Sequence, residues 1–214
     1  MNASRRTLAI VAGLAVLVLV AGGAAFAFAL QGRGDADTYE FKGGYWKPPR
    51  PAADLALTDQ HGQPFSLEDH RGKVILLYFG YTYCPDFCPT TLTDFLQVKQ
   101  DLGDRADEVE VVFVSVDPAR DTPERMGEFL DFFDPSFIGL TGSEDQLRPI
   151  ERDYAIQVSV DPATPGSSYY LVNHSTSLYA IDQAGNLRLT WSYGTSPADI
   201  TADVSYLLDH PISS

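Results

Sequence analysis

Val74-Ile75-Leu76-Leu77-Tyr78-Phe79-Gly80-Tyr81-Thr82-Tyr83-Cys84-Pro85-Asp86-Phe87-Cys88-Pro89 runs from a continuous apolar segment straight into a pair of cysteines. The run Val74 to Phe79 is short enough for a strand buried on both faces. Beyond Pro89, apolar residues recur at helical spacing, at Leu92, Phe95, Leu96 and Leu102, until Gly103 stops the pattern. Pro89 suits the first turn of that helix, where a missing N–H loses nothing. The cysteines therefore lie on the turn between a buried strand and a helix.

Upstream, Leu57 and Phe65 flank an Asp59-Gln60-His61-Gly62 turn and read as a hairpin. Downstream, Val109 to Val116 is a second buried strand, and Thr122-Pro123 caps a helix reaching about Phe133. Phe137 to Leu140 is a short strand, and Ser143 with Gln146 forms a capping box for a helix ending near Tyr154. Ser177 to Ile181 and Leu187 to Trp191 flank Asp182-Gln183-Ala184-Gly185 as an antiparallel hairpin, and Ser196-Pro197 opens a last helix. This order predicts an α/β domain over 54–214, with a mixed central sheet flanked by helices in a thioredoxin-like arrangement.

The composition agrees with a globular domain: of 214 residues, 44% are hydrophobic and 21% charged, which provides for a core. With 2 cysteines the chain is no cross-linked secreted scaffold, and a bridge across so short a loop would constrain little. The formal charge is −14, and Arg5 and Arg6 are the sole charges before residue 31, so the remainder carries −16. Such a surface argues against nucleic acid as a partner, since phosphate binding needs basic residues.

Thr7 to Leu30 contains no charge and follows Arg5-Arg6. As a helix it would be roughly 36 Å long, enough to cross a hydrocarbon core of roughly 30 Å. The expectation is a single-pass anchor at 7–30 in the cytoplasmic membrane, with 1–6 inside and the domain on the periplasmic side. A cleaved signal peptide competes, because Ala25-Phe26-Ala27 and Ala27-Phe28-Ala29 have the small-x-small form. Either places the domain outside the cytoplasm. Residues 31–53, ending in Lys47-Pro48-Pro49-Arg50-Pro51, read as an extended linker, although Tyr39, Phe41, Tyr45 and Trp46 offer aromatic surface for packing onto the domain.

Cys88, at the helix start, meets the helix dipole and unpaired N–H groups, which favour its thiolate. That serves metal binding and disulfide exchange alike. Redox enzymes of this fold normally place two residues between the cysteines, whereas Cys84 and Cys88 have three between them. Two thiolates converging from such a turn suit Cu(I) or zinc, but need a third donor to make a firm site. His61 and His70 read as solvated loop residues and His210 lies near the C-terminal end. His174, in Val172-Asn173-His174-Ser175 just ahead of a core strand, is the candidate; the competing reading is an ordinary hydrogen-bonded imidazole.

Three segments in order resemble the Sco/SenC family of copper-binding, thioredoxin-fold proteins. They are Gly80-Tyr81-Thr82 through Cys84-Pro85-Asp86-Phe87-Cys88-Pro89, then Ser115-Val116-Asp117-Pro118-Ala119-Arg120-Asp121-Thr122-Pro123-Glu124, then Val172-Asn173-His174-Ser175. The resemblance extends from about Leu55 to the C-terminus. It implies one copper per chain, as Cu(I) or Cu(II), held by Cys84, Cys88 and His174. It implies a metallochaperone that assembles the dinuclear copper centre of cytochrome c oxidase subunit II. A copper-donating chaperone and a thioredoxin-like reductant are the further partners to expect. The family usually has an acidic residue where this chain has Asn173. Asp117 and Asp121 read as docking or site-orienting carboxylates, with Asp121 equally able to begin the turn capped by Thr122. Asp86 reads as a carboxylate beside the ligands or a tolerated loop acid, and Arg120 as a partner for either aspartate. The rival functions are a membrane-anchored thiol–disulfide oxidoreductase that reduces the cysteines of the copper target, and a copper or redox signalling module. A peroxidase is disfavoured, since no arginine and threonine surround the cysteines in the expected form.

Overall fold

In the computed structural model, which describes residues 39–161 and 170–211, the apolar run forms the central strand β4 (Val74–Gly80), every residue of it buried. It pairs in parallel with β5 (Val109–Ser115) and antiparallel with β9 (Leu178–Ile181). Burial on both faces is what an unbroken apolar strand requires. The helix α1 (Phe87–Leu102) makes the crossover from β4 to β5, and Gly103 ends it with φ 56°, a backbone setting natural to glycine. A second crossover through α2 (Pro123–Leu130) leads to β6 (Ile138–Thr141), parallel to β5.

Two short strands, β2 (Leu57–Asp59) and β3 (Pro64–Phe65), form the expected hairpin beside β6. On the other flank β9 pairs with β10 (Asn186–Trp191), and β10 with β1 (Gly44–Pro51). The resulting eight-stranded sheet has the order β1-β10-β9-β4-β5-β6-β2-β3. The Ser143–Gln146 capping box opens α3 (Glu144–Asp153), and Ser196 caps α4 (Pro197–Asp209), which packs against α1 and reaches β4. A mixed sheet with helices, in the thioredoxin-like order, is the fold the sequence predicts.

Three features differ from the expectations. Residues 44–51 are not linker but edge strand β1, and the compact unit begins at Phe41. Asp203 of α4 is fully buried and accepts from the Lys42 and Gly43 amides and from Trp191 Nε1 (2.9–3.0 Å). Arg188 donates to Tyr45 Oη at 2.7 Å, while Pro48 and Pro49 fall where the β1–β10 register shifts, so their missing donors break no ladder bond. The helix expected to reach Phe133 stops at Leu130, where the chain turns ahead of Pro135. A separate antiparallel ribbon, β7 (Val158–Val160) with β8 (Val172–His174), was not foreseen in the pattern. The anchor expected at 7–30 lies outside the described residues; among those described, no helix is long and apolar enough to cross a membrane.

Candidate metal centre

At the end of β4 there is no room for a side chain. A Cβ on Gly80 would stand 2.6 Å from the Phe113 ring and 2.8 Å from Cys88 Sγ. The chain then turns through Tyr81 to Tyr83, closed by the Cys84 N–H donating to the Tyr81 carbonyl at 3.2 Å. The fully buried Asp121 holds this turn: it accepts from the Thr82 amide at 3.2 Å, from Thr82 Oγ1 at 2.7 Å and from Ser115 Oγ at 2.7 Å. Burial pushes its carboxyl pKa up, against the pull of these donors.

Cys88 is the second residue of α1 and wholly buried, whereas Cys84 keeps 8% exposure. The Cys88 N–H donates to Cys84 Sγ at 3.4 Å, and Tyr78 Oη stands 3.9 Å from Cys88 Sγ. These surroundings split the two thiols. Hydrogen bonding from the Cys88 thiol, then from the Asp86 and Cys88 amides, pulls the Cys84 pKa well below the ordinary thiol value despite burial. Donating that bond, together with burial, pushes Cys88 up. Of the two thiols, Cys84, and not Cys88 at the helix start, is the more acidic.

His174 ends β8, half-buried, with Nε2 3.7 Å from Cys88 Sγ. Its Nδ1 lies 2.9 Å from the Ser175 carbonyl. A carbonyl can only accept, so Nδ1 carries the proton and Nε2 turns its lone pair to the sulfurs. The exposed Asn173 takes no part in this, because a backbone oxygen orients the ring. Tyr78 and Tyr81 meet the imidazole edge-on, at 6.1 and 5.9 Å between centroids. One ligand atom each from Cys84, Cys88 and His174 lies within 4.8 Å of the others, the sole such group among the described residues.

The remaining acidic residues fall elsewhere. Asp86 is exposed and makes no capping hydrogen bond. Asp121 directly precedes the Thr122 cap and braces the cysteine turn through Thr82 and Ser115. Arg120 chooses Asp117, and both are largely buried. His70 is not a solvated loop residue: it pairs with Glu110 and stacks on Phe65. Sequence reasoning gave no role to Tyr78, Tyr81 or Tyr170 around the site; Tyr78 is hidden in the apolar run, and Tyr81 stands in the first motif with nothing to mark the part its ring plays.

A family model described as SCO1/SenC matches residues 47–209. An SCO2-like protein of Rickettsia felis is 35% identical over 150 residues, covering 69% of this chain and 72% of its own length. The mitochondrial protein SCO2 of Saccharomyces cerevisiae is 40% identical over 130 residues, 60% of this chain but 43% of its own. Copper-bound ScoI of Bradyrhizobium japonicum superposes with a TM-score of 0.67 at 34% identity, over 74% of this chain and 99% of that one. The matched span runs from inside β1 to the end of α4 and contains both cysteines and His174; this chain belongs to the SCO1/SenC family.

Proposed function

We propose that this chain binds one copper ion through Cys84, Cys88 and His174 and delivers it to the dinuclear copper centre of cytochrome c oxidase subunit II. The observation carrying the reading is the convergence of two sulfurs and an oriented imidazole nitrogen within 4.8 Å. Two sulfurs with one nitrogen make a soft set suited to Cu(I), and the same ligand types accept Cu(II). Structural zinc takes four ligands, and this group supplies three. The copper-bound relative supports the choice of metal. Copper here is cargo. With Cys88 enclosed and Cys84 and His174 nearer solvent, a target thiol has its approach on their side.

Copper titration of the full-length chain tests this. One equivalent is expected for the parent protein, with much weaker retention in Cys84→Ser, Cys88→Ser and His174→Ala. Undiminished stoichiometry and affinity in all three would sink the reading.

A second reading has its own observation, the split between the thiols. The Cys84 thiolate can attack a disulfide of the copper target, and Cys88 can then displace the mixed disulfide. Cys84 and Cys88 end joined by a disulfide, and the target's two sulfurs are released reduced, one taking the Cys88 proton and the other a proton from solvent. His174→Ala separates the roles, since it removes a copper donor while leaving both sulfurs. Residues 7–30 are proposed as the anchor that keeps the domain on the periplasmic side, on their charge-free length. Release of the full-length chain from membranes by alkaline carbonate would contradict that placement.

A further inference from the structure

His174 does not stand on the sheet that carries the thiols. It ends β8 of the two-stranded ribbon, whose register sets Val158 opposite His174 and Val160 opposite Val172. Val172 anchors the ribbon in the core, Val158 and Tyr170 pack against that core, and directed polar contacts add to this packing. The Val172 N–H donates to Tyr81 Oη at 3.3 Å. Two residues ahead of Val172, Tyr170 donates its hydroxyl to Asp117 Oδ1 at 2.7 Å, and its carbonyl accepts from Arg120 Nη1 at 3.0 Å.

Arg120 is the centre of this junction. Its Nε donates to Asp117 Oδ2, and its guanidinium carbon lies 3.5 Å from the Tyr170 ring centroid. The same carbon is 4.9 Å from the Tyr83 centroid and 5.6 Å from that of Tyr81, the two aromatics of the cysteine turn. Arg120 is 13% exposed and Asp117 4%. An ion pair withdrawn from water contributes little net stability compared with a packed apolar pair. What it supplies is direction, because the planar fork of arginine fixes two hydrogen bonds and a stacking face at once. The loop between β5 and α2 thus touches both halves of the site. Through Asp121 it holds Thr82 and the cysteine turn; through Asp117 and Arg120 it holds Tyr170 and the ribbon.

We propose that Arg120, braced by Asp117, is a positioning residue that latches Tyr170, and with it the ribbon bearing His174, against the Tyr81–Tyr83 turn. Its consequence for copper rests on the function proposed above; the latch itself does not. Without Arg120 the two sulfurs keep their places on β4 and α1, while the imidazole loses its fixed reach to them.

The test uses the full-length chain with Arg120→Ala, His174→Ala and the double variant. Arg120→Ala is expected to weaken copper retention roughly 10- to 100-fold, as loss of a ligand-orienting partner does. It should also diminish the nitrogen contribution to the copper X-ray absorption spectrum and leave the sulfurs in place. Adding Arg120→Ala to His174→Ala should weaken copper no further, since the latch acts through that imidazole. Full additivity would overturn the proposal. In the metal-free chain, amide hydrogen exchange at residues 170–174 should quicken about tenfold in Arg120→Ala, with β4 and β5 unchanged. Unchanged exchange at 170–174 would overturn it as well. If His174→Ala alone leaves copper binding intact, the copper reading fails and the exchange comparison still decides the latch. If Arg120→Ala does not fold, Tyr170→Phe and Asp117→Asn are read by the same exchange, quicker supporting the latch and unchanged overturning it.

Discussion

The two halves of the candidate metal centre are built by different means. The sulfurs stand where a fully buried strand meets a helix start, with neighbours on both sides in the sheet. The imidazole stands on a ribbon outside that sheet, with Ser159 and Val160 exposed on its partner strand. The thiols are thus set by strand and helix packing braced by Asp121, whereas the nitrogen rests on a short ribbon held by Val172 and by directed side-chain contacts. The lesson is that one donor can be moved while the other two stay.

The largest change should come from Cys88→Ala. It removes a sulfur, so copper retention is expected to be lost, and it also removes the main cause of the Cys84 acidity. Because that acidity is a lowered pKa, the Cys84 thiolate persists in the parent as pH falls below the ordinary thiol value of about 8.5. Its contribution to stability is present above the unfolded-state value and fades as pH falls toward the depressed one. The pH midpoint of Cys84 alkylation by iodoacetamide should then rise in Cys88→Ala. An unmoved midpoint would show that the two thiols are not coupled as described.

Next comes the sheet beneath the thiols. Leu76→Ala, in the middle of β4 and fully buried, should lower the unfolding free energy by about 2–5 kcal/mol, read from denaturant midpoints. A loss under about 1 kcal/mol would erase the contrast between a packed half and a tethered half. Gly80→Ala should cost about 1–3 kcal/mol, since the added methyl must displace Phe113 or Cys88 Sγ. It should weaken copper binding too, an effect Leu76→Ala is not expected to share in the folded protein.

The smallest effect belongs to the ribbon. Tyr81→Phe removes the hydroxyl that accepts from the Val172 amide, about 0.5–1.5 kcal/mol by unfolding. Faster amide exchange should be confined to the β8 side. Equal quickening in β4 would mean that the two halves are one cooperative piece.

This contrast also decides what could be read from the sequence. The Cys84–Cys88 half is legible because local signals agree: an apolar run, a turn, Pro89 and a helical repeat ending at Gly103. The capping box at Ser143 and the hairpin turn at Asp182 are equally local, and both stand as expected. The His174 half is not local. Val158-Ser159-Val160 is too short to announce a strand, and its partner Val172–His174 follows only after the segment 161–171. His174 became a candidate by its place before β9 and by the family's motif, not by any pattern around it. Arg120 could be assigned to either aspartate from sequence, and its bond to the Tyr170 carbonyl is a tertiary fact. The tether reading of 44–51 failed for a similar reason: Asp203 and Arg188, far along the chain, are what draw that segment onto the sheet.

The most direct measurement is copper K-edge X-ray absorption on the full-length chain loaded with one equivalent of copper. Two sulfur neighbours and one imidazole nitrogen are expected, with the nitrogen lost and both sulfurs kept in His174→Ala. A copper environment without sulfur, or one unaltered by His174→Ala, would contradict the assignment of this site.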